Sequence, residues 1–133
     1  MSIGAVLVVE DEPLILLDVE TALQEAGFEV IAVNDAEKAL AAFDADPTKV
    51  KGLVTDIRLG IGKSGWEIAR HFRQANSSIP VIYVSGDSAI NWGAEGVPES
   101  VMITKPFFLP QIITALSTLM NAQPAPSTND PDD

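Results

Sequence analysis

Five polar residues stand where apolar runs stop: Glu10 and Asp11 after Ala5-Val6-Leu7-Val8-Val9, Asp56 after Gly52-Leu53-Val54-Thr55, Ser85 after Val81 to Val84, and Lys105 after Val101 to Thr104. Three carboxylates drawn within a few ångströms repel one another, and one takes up a proton unless a cation balances them. A hard divalent ion with oxygen ligands meets that need, and Mg²⁺ is the usual one where one or two carboxylates share it with a phosphoryl group. Lys105 offers a compact positive charge to Asp56 or to phosphoryl oxygens. The Ser85 hydroxyl offers one hydrogen-bond donor. An oxygen nucleophile, a metal, a cation and a donor are the parts that phosphoryl transfer needs. Alone, an Asp at a strand end is a cap or a turn residue; the companions of Asp56 at the other strand ends make it a candidate.

Those positions converge only if the runs are parallel strands. The uninterrupted, β-branched run over 5–9 is the pattern of a strand buried on both faces. Pro13 suits a first helical turn. Leu16, Val19, Leu23 and Ala26 recur at helical spacing, with Gly27 where a C-terminal cap belongs. Glu29 to Val33 reads as a second strand. Asn34 and Asp35 offer caps for a helix through Phe43, with Glu37 placed for a capping-box return. The third strand ends at Asp56, and a glycine-rich loop over 59–65 leads into a helix from Trp66 to Gln74. Pro80 opens a fourth strand over 81–84. Gly86, Gly93, Gly96 and Pro98 then predict a short or irregular helix near Ala89 to Trp92. Val101 to Thr104 forms a fifth strand, and Pro110 starts a last helix with Ile112, Ile113, Leu116, Leu119 and Met120 on one face. Five strands, each followed by a helical segment, imply an α/β fold: a doubly wound five-stranded parallel sheet with helices on both faces. Such a sheet places its ligand site outside the carboxyl ends of the strands, at a topological switch point.

Four motifs carry a family resemblance: Val-Val-Glu-Asp-Glu at 8–12, Val-Thr-Asp-Ile-Arg-Leu at 54–59, Val-Ser-Gly at 84–86 and Lys-Pro-Phe at 105–107. In this order they make the sequence resemble a response-regulator receiver domain of two-component signalling, over residues 3 to 121. The resemblance implies a flavodoxin-like (βα)5 sheet with strand order 2-1-3-4-5. It implies that Asp56 accepts a phosphoryl group from a phosphohistidine on a sensor histidine kinase or histidine phosphotransfer protein. Mg²⁺ is the implied cofactor, with Asp11, Asp56 and the backbone carbonyl of Arg58 as ligands and Glu10 acting through water. Ser85 and Lys105 match the hydroxyl and the lysine that hold the phosphoryl oxygens, and Lys105–Pro106 matches a cis peptide. Two departures stand out. Met102 occupies the position of an aromatic that turns inward when the hydroxyl residue moves; Tyr83, on the strand face of Ser85, is the candidate substitute. That placement is similar to a receiver subgroup carrying Phe-Ala-Thr-Gly. The loop after Asp56 lacks the family's common Leu-Pro pair and runs instead through Leu59-Gly60 into a longer glycine-containing stretch.

Composition bounds the partners. With 133 residues, 47% of them hydrophobic and 20% charged, the chain has the material for one packed domain. Eight Lys and Arg against nineteen Asp and Glu give a net charge of −11, which disfavours nucleic acid and an anionic membrane surface as partners. Cysteine is absent, so thiolate chemistry and disulfides are excluded. The start, Met-Ser-Ile-Gly, carries no secretory pattern, and no apolar run approaches the ~20 residues of a membrane span; a cytoplasmic location is expected. Residues 1–121 are read as the phosphoacceptor domain and 122–133, rich in Pro, Ser, Asn and Asp, as a disordered acidic tail. On this reading the chain is a single-domain regulator rather than an enzyme. Its last helix, fifth strand and fourth connection would then change their contacts with a downstream protein, still unknown, on phosphorylation. Two other readings are a phosphorylation-independent interaction module of the same fold and a metal-dependent phosphohydrolase. Haloacid-dehalogenase-type sites need Asp-x-Asp where Glu10-Asp11-Glu12 stands, and Toprim-like sites need an acid where Arg58 stands. Glu12 reads as a solvated first-turn charge, His71 as part of a polar helix face, and Trp66 and Trp92 as packing residues; Lys63 lacks Walker spacing.

Overall fold

Strand β1 (Ala5–Val9) is buried along its whole length, and its side chains alternate between two cores. Leu7 and Val9 join one; Val6 and Val8 join the other. A strand with a core on each face has no reason to alternate polar with apolar, so the run reads as continuous. The computed structural model describes residues 4–60 and 62–121, and the tail expected to be disordered, 122–133, lies outside them. Around β1 stand β2 (Glu29–Val33), β3 (Val50–Asp56), β4 (Val81–Ser85) and β5 (Val101–Thr104). All pairings are parallel and the order is β2-β1-β3-β4-β5, as the resemblance implied.

The helices are α1 (Pro13–Glu25), α2 (Ala36–Ala45), α3 (Gly65–Ala75), α4 (Trp92–Glu95) and α5 (Leu109–Asn121). Helices α2 and α3 cover the first core, where the Phe43 and Phe72 rings stack with centroids 4.0 Å apart. Each ring is fully buried, a contribution of about 1.5–3 kcal/mol apiece. Helices α1 and α5 cover the second core through Val19, Leu23, Ile112 and Leu116. The fourth connection is a three-residue 3-10 turn (Ala89–Asn91) followed by the single turn of α4, the short irregular helix that its glycines predicted.

Local chemistry sets the element ends. Gly27, at φ 99°, takes the left-handed conformation after α1, and Phe28 N–H reaches back to the Leu23 carbonyl in a Schellman cap. At α2 the expectation was only half met. Asp35 is the N-cap and accepts from Lys38 N–H at 2.8 Å, so the capping-box position belongs to Lys38 and Glu37 makes no return bond. The glycine-rich loop hid a true box: Ser64 caps α3, with Glu67 N–H bonded to its hydroxyl and the Glu67 carboxylate bonded to Ser64 N–H. Helix α3 therefore begins at Gly65, one residue before the expected Trp66. There is no room for a side chain at Gly65, because a Cβ would strike the Asp56 carbonyl. This contact presses the start of α3 against the carboxyl end of β3. Helix α2 runs on to Ala45, β3 starts at Val50, and α5 starts at Leu109; these ends exceed the expected ones because packing extends elements past their strongest periodic residues.

Candidate functional site

Register alone aligns the candidate residues. Val9 pairs with Thr55, so Glu10 and Asp56 follow side by side across β1 and β3, the point where the strand order reverses. Asp56 pairs with Val84, so Ser85 lies one step beyond it. Ser85 pairs with Thr104, so Lys105 lies one step beyond that.

Carboxylate oxygens of Glu10, Asp11 and Asp56 lie within 4.8 Å of one another. Lys105 Nζ enters this group at 3.1 Å from Asp56 Oδ2, 3.2 Å from Glu10 Oε1 and 3.6 Å from Glu12 Oε1. The sequence reading of Glu12 is a solvated first-turn charge rather than a ligand. Its side chain is indeed largely exposed, yet it shares the lysine. Asp56 is held further by Ile57 N–H, which donates to Oδ1 at 2.8 Å, and Glu10 by Glu12 N–H, which donates to Oε2 at 3.0 Å. Both Glu10 oxygens are thus occupied. Asp11 is exposed, and its carboxylate has no hydrogen-bond or ion-pair partner among the described residues. An all-oxygen set with one free carboxylate suits a hard cation such as Mg²⁺. The Lys105–Pro106 peptide is cis, as the resemblance implied.

The electrostatics are those of a cluster short of positive charge. The Glu10 carboxyl is pushed up from 4.5 to about 7, first by burial and then by the neighbouring charge of Asp56; the Glu12 N–H and Lys105 pull it back only partly. Burial would lower Lys105, but its bond and charge attraction to Asp56, with those to Glu10, raise it instead. A carboxyl whose folded value lies above its unfolded one binds its extra proton in the folded state. Its stabilising contribution is therefore full below about 4.5 and is lost as pH rises to about 7. With divalent cations chelated, the urea midpoint is expected to fall between about pH 5 and about pH 7.5, and this component is expected to disappear in Glu10→Gln. An unchanged slope in that variant would assign the pH dependence elsewhere.

Ser85 is buried, and its Oγ accepts from Ser88 N–H at 2.8 Å and Asp87 N–H at 3.3 Å. The hydroxyl thereby ties the end of β4 to the loop that follows. Arg58 lies on the exposed lip, with Nε 3.2 Å from Asp87 Oδ1; this pair links the loops after β3 and β4. Asp87 carried no motif and was missed in the sequence. Tyr83 faces inward, fully buried against the Trp66 ring (centroids 4.7 Å apart), and Met102 lies beside it across β4 and β5. Trp66 is a packing residue, as expected. Trp92 is partly exposed and donates from Nε1 to Ser100 Oγ at 2.9 Å. His71 bonds Asp44 at 2.8 Å on the surface between α3 and α2, remote from the cluster.

Comparison with known proteins agrees with this fold. Residues 6–117 match the family described as response regulator receiver domain. The transcriptional regulatory protein TrcR of Mycobacterium tuberculosis is 31% identical over 117 residues, covering 86% of this chain and 44% of TrcR. PrrA of Mycobacterium leprae, also a transcriptional regulatory protein, is 27% identical over 93% of this chain and 53% of its own length. The chain thus spans about half the length of these curated relatives. Among solved structures, a response regulator receiver protein from Sinorhizobium medicae WSM419 superposes with a TM-score of 0.86 at 40% identity, covering 90% of this chain and 95% of that one. The chemotaxis protein CheY4 of Vibrio cholerae shares the fold, with a TM-score of 0.78 at 23% identity over 89% of this chain and 99% of its own.

Proposed function

This chain belongs to the response regulator receiver domain family of two-component signalling, a family of signalling phosphoacceptors rather than turnover enzymes, and from that membership we propose that Asp56 accepts a phosphoryl group from the phosphohistidine of a kinase or phosphotransfer protein. The observation that carries the reading is the position of Asp56. It is a nearly buried carboxylate with Lys105 Nζ 3.1 Å away and two further carboxylates against it.

In the transfer, an Asp56 oxygen attacks phosphorus, the P–N bond to the donor imidazole breaks, and the imidazole leaves with the electron pair. Ile57 N–H orients the attacking carboxylate through Oδ1. Lys105 holds charge on the phosphoryl oxygens in place of part of its present contact with Asp56. The Ser85 hydroxyl, whose oxygen accepts from the loop amides, still has its proton to donate to a phosphoryl oxygen. Magnesium, held by Asp11, Asp56 and the Arg58 carbonyl with Glu10 behind a water, would neutralise charge between the carboxylates and the phosphoryl group. Phosphorylation replaces the single negative charge of the Asp56 carboxylate with the roughly two of an acyl phosphate, a net gain of about one, and adds three strong acceptor oxygens. The surface expected to respond is that of α5, β5 and the fourth connection, through which the unit would bind a downstream protein. No helix among the described residues is long and apolar enough to cross a membrane.

Incubation with acetyl phosphate and Mg²⁺ tests the reading. A single phosphoryl adduct, located by fragmentation to the peptide holding Asp56, is the expected result. Steady hydrolysis with no adduct would favour a phosphohydrolase and overturn it. Arg58 governs how water reaches that adduct. Arg58→Ala opens the bridge to Asp87 and is expected to shorten the adduct lifetime, by at most about fivefold because the pair is exposed. Equal lifetimes would end that role.

A further inference from the structure

The segment that joins α4 to β5 has little helix to hold it, and it is fastened instead by side chains from beneath. Tyr83 Oη accepts from Val97 N–H at 3.0 Å in a buried position. Arg73 of α3 donates to the Pro98 carbonyl at 2.7 Å, and Arg70 donates to the Glu95 carbonyl at 3.1 Å. Within this turn Glu99 sits at φ 57°, a left-handed conformation that a side-chain-bearing residue seldom keeps without restraint. Tyr83 also connects toward the candidate acceptor through the start of α3 and along its own strand. Its ring lies against Trp66. Trp66 follows Gly65, which is pressed on the Asp56 carbonyl and donates its N–H to the Ile57 carbonyl at 2.8 Å. Tyr83 is also two residues from Ser85 on the same strand face.

We infer that Tyr83 is a positioning residue that latches the α4–β5 turn through the Val97 amide and releases it when Asp56 is phosphorylated. The inference rests on the reading of Asp56 as phosphoacceptor and adds the element through which that event would reach the binding surface. The direction follows from the bonds at Ser85. Its Oγ holds the amides of Asp87 and Ser88. A hydroxyl drawn toward a phosphoryl group on Asp56 carries these amides with it or leaves them to follow the new anion. Either way the loop over 86–91 moves toward Asp56, and it leads directly into Trp92 and Val97. The turn is thereby pulled off a tyrosine that cannot follow, because its ring is enclosed by the first core. Met102, beside it on β5, offers only a thioether sulfur, a much weaker acceptor than the tyrosine hydroxyl. In this chain the hydroxyl on β4, and not an aromatic ring on β5, joins site to surface.

Amide hydrogen exchange at Val97, followed by NMR in the native protein and in Tyr83→Phe, each with and without excess acetyl phosphate and Mg²⁺, tests the latch. Intact mass reports the adduct in every sample. The substitution keeps the ring in its place and removes only the acceptor oxygen. Phosphorylation of the native protein is expected to speed exchange at Val97 about tenfold or more, as loss of one buried hydrogen bond predicts. Tyr83→Phe is expected to form the same adduct, to exchange at the fast rate before phosphorylation, and to change little after it. If the native protein forms the adduct and Val97 exchanges equally in both forms, the latch is wrong and the acceptor reading stands. Exchange in unphosphorylated Tyr83→Phe equal to the native rate overturns the latch as well. Absence of any adduct on the native protein removes both.

Discussion

Asp56→Asn is expected to abolish the acetyl phosphate adduct outright while leaving the fold at least as stable as before. The amide has the shape of the carboxylate, and its oxygen can still accept from Ile57 N–H, which now donates to Oδ1 at 2.8 Å. It lacks the negative oxygen that the proposed transfer requires, so loss of transfer would need no distortion to explain it. The stability prediction follows from the neighbours. Glu10 and Asp56 repel each other within one small cluster, and the charge of Asp56 is one of the causes that push Glu10 up to about 7. Removing that charge relieves the repulsion; it also removes the bond to Lys105, which keeps Glu10 as its partner. Intact mass and a thermal melt near neutral pH decide the matter. An adduct of undiminished yield would place the acceptor on another residue, and a large fall in melting temperature would mean that Asp56 serves the fold rather than the chemistry.

Lys105→Met should do the opposite, weakening both the chemistry and the fold. The substitution keeps the length of the aliphatic stem and deletes the charge that lies within 3.6 Å of three carboxylates. Removal of one preorganised electrostatic group at a reacting centre costs about 10²- to 10³-fold in rate, and phosphorylation by acetyl phosphate at saturating Mg²⁺ should slow by that order. Stability should fall by about 1–3 kcal/mol at neutral pH, since buried acceptors lose their partner. The loss should shrink near pH 5, where Glu10, whose carboxyl titrates at about 7, is protonated and no longer needs a counter-charge. A rate within twofold of native would remove Lys105 from the machinery. A stability loss equal at both pH values would detach it from Glu10.

The parts of this protein that could be read from residue order are those governed by near neighbours. Strand β2 and strand β5 fall on the expected residues, because short apolar runs bounded by Gly, Pro or polar residues have few other uses. Element ends were less legible. Asn34 and Asp35 are both competent caps, and only the packing of α2 through Ala36, Ala39 and Phe43 selects Asp35 and so displaces Glu37 from the box. The glycines around Ser64 suggested a loop, whereas Gly65 is glycine because the Asp56 carbonyl leaves no room for a side chain. That reason lies nine residues away in sequence and cannot be read from the neighbours of Gly65.

What residue order alone determined, then, is which polar residues the fold brings to one rim: Asp56 and Ser85 end their strands, Glu10, Asp11 and Lys105 follow theirs, and a parallel sheet gathers such ends on one side. What only the tertiary structure decided is who holds whom. Lys105 shares itself with Glu12 as well as Glu10 and Asp56, Ser85 secures its own loop, Arg58 finds Asp87, and Tyr83 finds the Val97 amide. Hydrogen bonds and ion pairs depend on a few tenths of an ångström and on what water is excluded. Such distances are set when separate elements pack together, and no local pattern of residues carries them.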